Sequence, residues 1–316
     1  MVLDVRLAEE VSRAYGLGTG ARLAGPVAAG RLGRIWQLTT DLGCYAVKDF
    51  VVPVSAEDAE RDAAYQDAVR RAGVPMPRVV RTRSGAVLAD VEGPVRAYGW
   101  VDVQASDRGL DPAAVGRIVA AIHSVSPATD EAVDGWYVDP VGRDGWEDLV
   151  ARLDAADAPF AGRLAALLPE LLEVESILTP PREVRMCHRD LWADNLLRRP
   201  SGDLVVLDWE NSGAADPAQE LALVLFEFGC GDAVRMRALH EAYAAAGGTA
   251  RLTGPGDLTM LVAQSHHITR TGCERWLAAT TDVQRADNAD WVAEFLDEPV
   301  TTRTVDLVLG AIGATG

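Results

Sequence analysis

Positive charge is what this sequence has least of. Against 47 Asp and Glu stand 30 Lys and Arg, a net charge of −17. Such a surface repels a phosphate backbone, which argues against nucleic acid as a partner, and it attracts a cationic small molecule. The same acids also serve solubility alone. Cysteine is scarce as well. Cys44, Cys187, Cys230 and Cys273 lie far apart with no CxxC pair, which argues against a zinc site and fits a reduced chain in which each is a small buried hydrophobe. There is no apolar run long enough to cross a bilayer. The opening "MVLDVRLAEEVSRAYGLG" carries acids throughout and lacks the apolar core of a signal peptide, so the expectation is a cytoplasmic protein with no membrane partner. No internal repeat or low-complexity tract is visible.

What is present is the composition of a globular protein: 48% hydrophobic and 24% charged residues in 316, enough for one large domain or two lobes. The first hundred residues read as strand-rich. "GRIWQLTT", the turn "DLG" and "CYAVKDF" form a β-hairpin pattern. In "SAEDAERDAAYQDAVRRAG", Ser55 with Asp58 predicts a helix start, and Gly73 with Pro75 predicts its stop. Asp58, Asp62, Tyr65, Val69 and Ala72 would share one face. Short strands follow at "PRVVRT", "GAVLADV" and "VRAYGWVDV".

Beyond about residue 105 the pattern turns helical. "DPAAVGRIVAAIHSV" opens with Asp111 as N-cap and Pro112 in the first turn, with Val115, Ile118, Val119 and Ile122 on one face. "DGWEDLVARL", "AGRLAALLPELLEVESIL", "DPAQELALVLFEFG", "DLTMLVAQSHHITRTGCERWL" and "NADWVAEFL" continue it. The plan is α+β: a small β-rich N-lobe over residues 1–98 and a larger, mainly helical C-lobe over 99–316.

Two stretches gather polar groups where apolar strands end: "MCHRDLWADNLL", from Met186 to Leu197, and "VVLDWEN", in which Asp208 follows "LVVL". Phosphoryl transfer from a nucleotide asks a protein to position phosphates, hold Mg²⁺ and orient the attacking hydroxyl. That requires a cation on the phosphates, hard oxygen ligands for the metal and a carboxylate near the acceptor. Lys48 on the second hairpin strand supplies the cation. The acidic helix after it can hold that lysine in place. Asp190 and Asn195, five apart in a loop, can serve acceptor and metal, and Asp208 adds a second carboxylate. Asp and Asn also cap turns, so the spacing gains its force from the complete set.

The order Lys, acidic helix, HxDxxxxN and Asp-Trp-Glu resembles the aminoglycoside phosphotransferase and choline-kinase-like superfamily of small-molecule kinases. The resemblance rests on "AVKDF", "AGVPMPRV", "CHRDLWADNLL" and "VVLDWENSGAADPAQELA". It implies a protein-kinase-like fold, an ATP donor with GTP as an alternative, and Mg²⁺. It implies Asp190 as the catalytic carboxylate, Asn195 and Asp208 as metal ligands, and Lys48 on the α/β-phosphates. His188 would brace the loop, Glu210 would assist at the metal or substrate, and backbone around Tyr98, Trp100 and Val101 would meet adenine. The lysine's helix partner falls on Asp62, one methylene short of the family's glutamate, with Glu60 nearby but off that face. Gly30 and Gly33 stand where a GxGxxG loop would, but that motif is absent.

The acceptor implied is a small molecule, aminoglycoside-like or otherwise cationic and hydroxylated, as in antibiotic resistance. A metabolic kinase for a sugar, amino alcohol or homoserine-like substrate is the alternative, and a nucleotide-binding pseudokinase scaffold is the rival of another class. No DFG, APE or activation segment points to a protein kinase. His266 and His267 read first as core or surface histidines, with an acceptor-lining role as the alternative. Of the tryptophans, Trp192 is the one placed inside the catalytic loop.

Overall fold

The computed structural model describes residues 5–30 and 33–314. Its contacts divide the chain into two compact units, one of residues 1–107 with 192–212 and one of 108–191 with 213–316. The expected boundary at 98/99 therefore moves to Asp107, and the segment from Trp192 to Ser212 joins the N-terminal unit. Hydrogen bonds explain the regrouping: Gln104 N–H donates to the Arg198 carbonyl (2.8 Å), and Val206 N–H to the Pro75 carbonyl (2.9 Å).

The N-terminal unit is built on an antiparallel sheet of β1 (Arg22–Ala29), β2 (Gly33–Thr40), β3 (Gly43–Phe50), β4 (Val79–Val80), β5 (Leu88–Asp90) and β6 (Pro94–Gly99). Its order is β1-β2-β3-β6-β4, with β5 also on β6. The expected hairpin is β2–β3, closed where Thr40 pairs with Gly43. Because side chains alternate across a strand, β3 and β6 split their residues between two faces. Val47, Val95 and Ala97 pack with Trp36, Leu38 and Tyr15. The other face carries Lys48, Arg96 and Tyr98. Tyr15 belongs to α1 (Ala8–Tyr15), a helix the strand-rich reading did not assign; it closes on Gly16 in the left-handed region, φ 68°. "VRAYGWVDV" stops being strand at Gly99. At Gly33 a Cβ would meet the Asp49 carbonyl oxygen at 2.1 Å, so only glycine fits between these strands.

Helix α2 (Ala56–Arg71) starts as the sequence predicts, Ser55 Oγ accepting from Asp58 N–H. Its buried face differs from the expected one. Asp58 and Ala72 are exposed, while Ala59, Asp62, Ala63, Tyr65, Gln66 and Val69 are buried. Asp58 is engaged in the cap. Ala59 and Ala63 pack on Val79 and Tyr98, so α2 covers the face bearing Lys48.

The C-terminal unit contains α3 (Pro112–Ser124), α4 (Arg143–Ala155), α5 (Ala161–Glu175), α6 (Pro217–Gly229), α7 (Ala233–Ala245), α8 (Thr259–Ala278), α9 (Asp282–Asp297) and α10 (Thr302–Ile312), with a short pairing of β7 (Arg185–Cys187) and β10 (Gly213–Ala215). Helix α6 is apolar nearly all round and is buried nearly all round, as such helices must be. Helices α4, α5, α8 and α9 share a core of Trp146, Leu149, Leu164, Cys273, Trp276 and Leu296. Two cysteines depart from expectation: Cys187 and Cys273 are buried, but Cys44 and Cys230 are exposed. Cys44 sits beside the hairpin turn, and Cys230 is the left-handed residue that ends α6. No helix of the described residues is long and apolar enough to cross a membrane.

Candidate active site

Lys48 is the only lysine in the sequence; every other basic residue of the Lys/Arg total is arginine. A chain that uses arginine everywhere else keeps a lysine where a compact point charge with three donors is wanted. The ammonium is almost wholly buried and lies 3.0 Å from Asp208 Oδ1 and 3.1 Å from Glu210 Oε2. Burial would lower its pKa, but Glu210 and Asp208 outweigh that and raise it. The lysine is charged.

Asp208 and Glu210 reach it through a ribbon. β8 (Leu196–Arg198) pairs with β9 (Leu204–Val206), and the Leu207 N–H donates to the Asn195 carbonyl at 2.8 Å. Asn195 and Asp208 therefore lie at the same end of the ribbon. Asp208 then takes a left-handed conformation, φ 52°, which costs a non-glycine residue roughly 1–2 kcal/mol and recurs where a side chain must be aimed. A single 3-10 turn, Trp209–Asn211, follows; Trp209 is buried edge-on against Tyr65 of α2, 5.8 Å between ring centres.

Glu210 is the most enclosed acid of the group. Its Oε1 accepts from Tyr98 Oη at 2.5 Å while Oε2 faces Lys48. Burial alone would raise its pKa; Lys48, Asp208, Arg96 and Tyr98 reverse that and hold the carboxyl well below the usual carboxylate range. Asp208 keeps 37% of its side-chain surface exposed, and Asn195 is half-buried. A carboxylate and an amide oxygen at one ribbon end are the hard donors that suit Mg²⁺, so these residues fit the metal the sequence implies.

The expected helix partner of Lys48 is not found there. Glu60 accepts from Arg81 Nη1 (2.7 Å) and Val87 N–H (2.8 Å). Asp62 is buried, and its Oδ1 has no hydrogen-bond partner. Burial pushes its carboxyl up to about 7, with Arg96 the strongest opposing influence. A side chain one methylene shorter than glutamate's explains why α2 does not supply the lysine's counter-charge.

At Gly30 the N–H donates to the Gly33 carbonyl, 2.9 Å; Arg31 and Leu32 lie outside the described residues. Along the expected adenine segment, Gly99 N–H donates to Arg78 O (2.8 Å) and Trp100 N–H to Cys44 O (3.2 Å). Val101 is the first residue beyond these tethers.

Asp190 belongs to the C-terminal unit and is half-buried; His188 is fully buried. The residue before Asp190 is gripped from both sides. Arg189, left-handed at φ 65°, donates its N–H to Glu220 Oε1 (2.5 Å) and accepts at its carbonyl from Gln264 Nε2 (2.6 Å). Its guanidinium lies 4.3 Å from the Tyr137 ring centre. Glu220 in turn meets His123 Nε2 (2.9 Å), whose Nδ1 meets Tyr243 Oη (3.0 Å). His123, Cys187 and Glu220 bring donor atoms within 4.8 Å of one another, but both His123 nitrogens are engaged, so the group is a hydrogen-bonded brace. His266 is buried with Nδ1 on Glu175, 2.9 Å. His267 stacks on Trp136, 5.3 Å between ring centres, and its Nε2 meets the Asp139 carbonyl at 3.0 Å.

Sequence reasoning missed Arg96, Glu220 and Gln264, and it gave Glu210 a different partner. The signal for Glu210 was the solitary lysine. The signal for Arg96 was the alternation in "VRAYG", which puts Arg96 and Tyr98 on one face.

The profile of the phosphotransferase enzyme family (APH) matches residues 24–259, and the chain belongs to that family. A search of curated proteins gives no match. Among solved structures, the chain is similar to an aminoglycoside phosphotransferase from Alicyclobacillus acidocaldarius (17% identity, 99% of this chain and 96% of that one, TM-score 0.66). It is similar to the AMP-bound spectinomycin phosphotransferase APH(9)-Ia (14% identity, 98% and 99%, TM-score 0.67). It is also similar to the choline kinase LicA from Streptococcus pneumoniae (14% identity, 92% and 98%, TM-score 0.55). The α+β, kinase-like class expected from the sequence is the observed one.

Proposed function

We propose that this chain transfers the γ-phosphoryl group of ATP to a hydroxyl of a small cationic molecule, aminoglycoside-like in its chemistry, and that its role is of the antibiotic-resistance type. The observation that carries the reading is the Lys48–Asp208 pair at the ribbon end that also carries Asn195. Lys48 holds the α/β-phosphates as a point charge. Asp208 and Asn195 hold Mg²⁺, which when bound neutralises phosphate charge. Asp190, five residues ahead of Asn195 on the same loop, accepts the acceptor's hydroxyl hydrogen. As the new oxygen–phosphorus bond forms and the β–γ bridge breaks, Asp190 takes the proton and ADP leaves. The grip on Arg189 fixes where that carboxylate points, which is where positioning contributes most.

Support for a cationic acceptor comes from the net charge of −17, since an acidic surface attracts cations. The neighbours are named for aminoglycosides, spectinomycin and choline, which are amine- or ammonium-bearing alcohols. A scaffold would have no use for Lys48, Asp190, Asn195 and Asp208 together.

The test is acceptor-dependent ADP release with Mg·ATP across aminoglycosides, amino alcohols, basic peptide antibiotics and neutral sugars. Turnover with an amine-bearing class, abolished in Asp190→Asn, is the expected result. Turnover with neutral sugars alone would refute the cationic acceptor, and no nucleotide binding would refute the kinase.

A further inference from the structure

We propose that Glu210, two residues past Asp208, is the positioning residue of Lys48, and that helix α2 takes no part in holding that lysine; the inference rests on the phosphate-binding role assigned to Lys48 above. Three observations carry it. First, Glu210 uses one carboxylate oxygen on the Lys48 ammonium and the other on Tyr98 Oη. The acid is thereby fixed at both ends, and Tyr98 is itself locked in β6 between Ala46 and Val79.

Second, the acids of α2 are committed elsewhere. Glu60 is bound to Arg81 and Val87. Asp62 feels Arg96 first among the cations around it. Arg96 stands directly opposite Lys48 in the β3–β6 register, with no exposed surface and its guanidinium 5.0 Å from the Tyr98 ring centre. Two cations side by side on one sheet face repel unless acids compensate them. Glu210 touches Lys48 directly and also acts on Arg96, ahead of Asp62.

Third, Asp208 also touches Lys48, but it carries a second demand, the metal. Glu210 is 7% exposed against 37% for Asp208, so of the two it is the partner shut away from solvent. The posture of the phosphate-binding cation is then set by the segment that carries the metal ligand, and repositioning α2 would not release it.

The test is ADP affinity in EDTA, measured by calorimetry on the full chain. Lys48→Met and Glu210→Gln should each weaken it roughly tenfold, as expected for loss of a charged hydrogen bond. The double variant should be no weaker than either single one, and Asp62→Asn should stay within about twofold of the wild type. Because the chain has one lysine, isotope-labelled lysine gives a single ε-methylene NMR signal. That signal should move in Glu210→Gln and stay in place in Asp62→Asn, and thermal melts report that each variant is folded. If Glu210→Gln keeps wild-type affinity in EDTA and loses it only with Mg²⁺, Glu210 is a metal ligand and the proposal fails. It fails equally if Asp62→Asn behaves as Lys48→Met. A wild type that binds no ADP under either condition removes the phosphate-binding role itself, a distinct outcome.

Discussion

Lys48 and Arg96 face one another across two neighbouring strands, and both are buried. Like charges so placed demand compensation, and Glu210 and Asp208 provide it from the strand end, while Asp62 of α2 is buried without a hydrogen-bond partner at Oδ1. This charge cluster is the N-terminal unit's main departure from an apolar interior, and the predictions below start from it.

Asp62 should make stability depend on pH. Burial raises its folded pKa to about 7, whereas an unfolded aspartate titrates near ~3.9. The folded state therefore binds the proton more tightly. That contribution is complete below about pH 4 and is lost as pH rises through about 7. Asp62→Asn should be more stable than the wild type at about pH 8, by up to ~4 kcal/mol, with the difference vanishing towards about pH 4. Thermal melts of both proteins across that range decide it; a gap that does not vary with pH would disprove the assignment.

Asp190→Ala should lower turnover by roughly 10²–10⁴-fold, the usual worth of a general base, and leave ADP affinity nearly unchanged. Steady-state rates and calorimetry on the same preparation separate the two quantities. Near-normal turnover would show that another group takes the proton.

Glu175 is a structural hub of the C-terminal unit. It accepts from Val141 N–H, Gly142 N–H, Trp146 Nε1 and His266 Nδ1. Glu175→Ala orphans these donors together and should cost about 3–5 kcal/mol, the range for breaking a buried charged contact. Urea titration measures it; a loss under about 1 kcal/mol would mean that water replaces the carboxylate.

Gly116 marks the crossing of α3 and α7. A Cβ there would lie 2.4 Å from the Leu239 carbonyl oxygen and 2.9 Å from the Tyr243 nitrogen. Alanine is the better helix former by about 1 kcal/mol, but both obstacles are backbone and cannot swing away. Gly116→Ala should destabilise by about 1–3 kcal/mol, the cost of overpacking. A variant that melts above the wild type would show that the helices can part without penalty.

Much of the fold was legible because its signals are local. The β2–β3 hairpin followed from two alternating runs and a short turn. Ser55, Asp111 and Asp216 each cap the helix they precede. Helix α1 escaped because its eight residues, though Val11 and Tyr15 share one face, fall short of the roughly 11-residue window over which a helical period is read. The short strands β7 and β10 escaped because three residues carry no pattern. Spacing singles out Lys48, Asn195 and Asp208, and the structure brings Lys48 to Asp208 with Asn195 at the same ribbon end. Their partners were not recognisable, because pairing is decided by reach. Asp62 has the right place in sequence and the wrong length, and Arg96 competes for it from a strand that sequence order does not show to be Lys48's neighbour.

The solitary lysine has one more consequence. A surface whose cations are all guanidinium groups offers amine-selective acylating reagents no lysine target. Lys48 itself is shielded, charged and clasped by two carboxylates, so it resists the same reagents for as long as that clasp holds. Among the lysines there is nothing to mask a reaction at this one. The extent to which it can be acylated is therefore a direct gauge of how firmly Asp208 and Glu210 hold it.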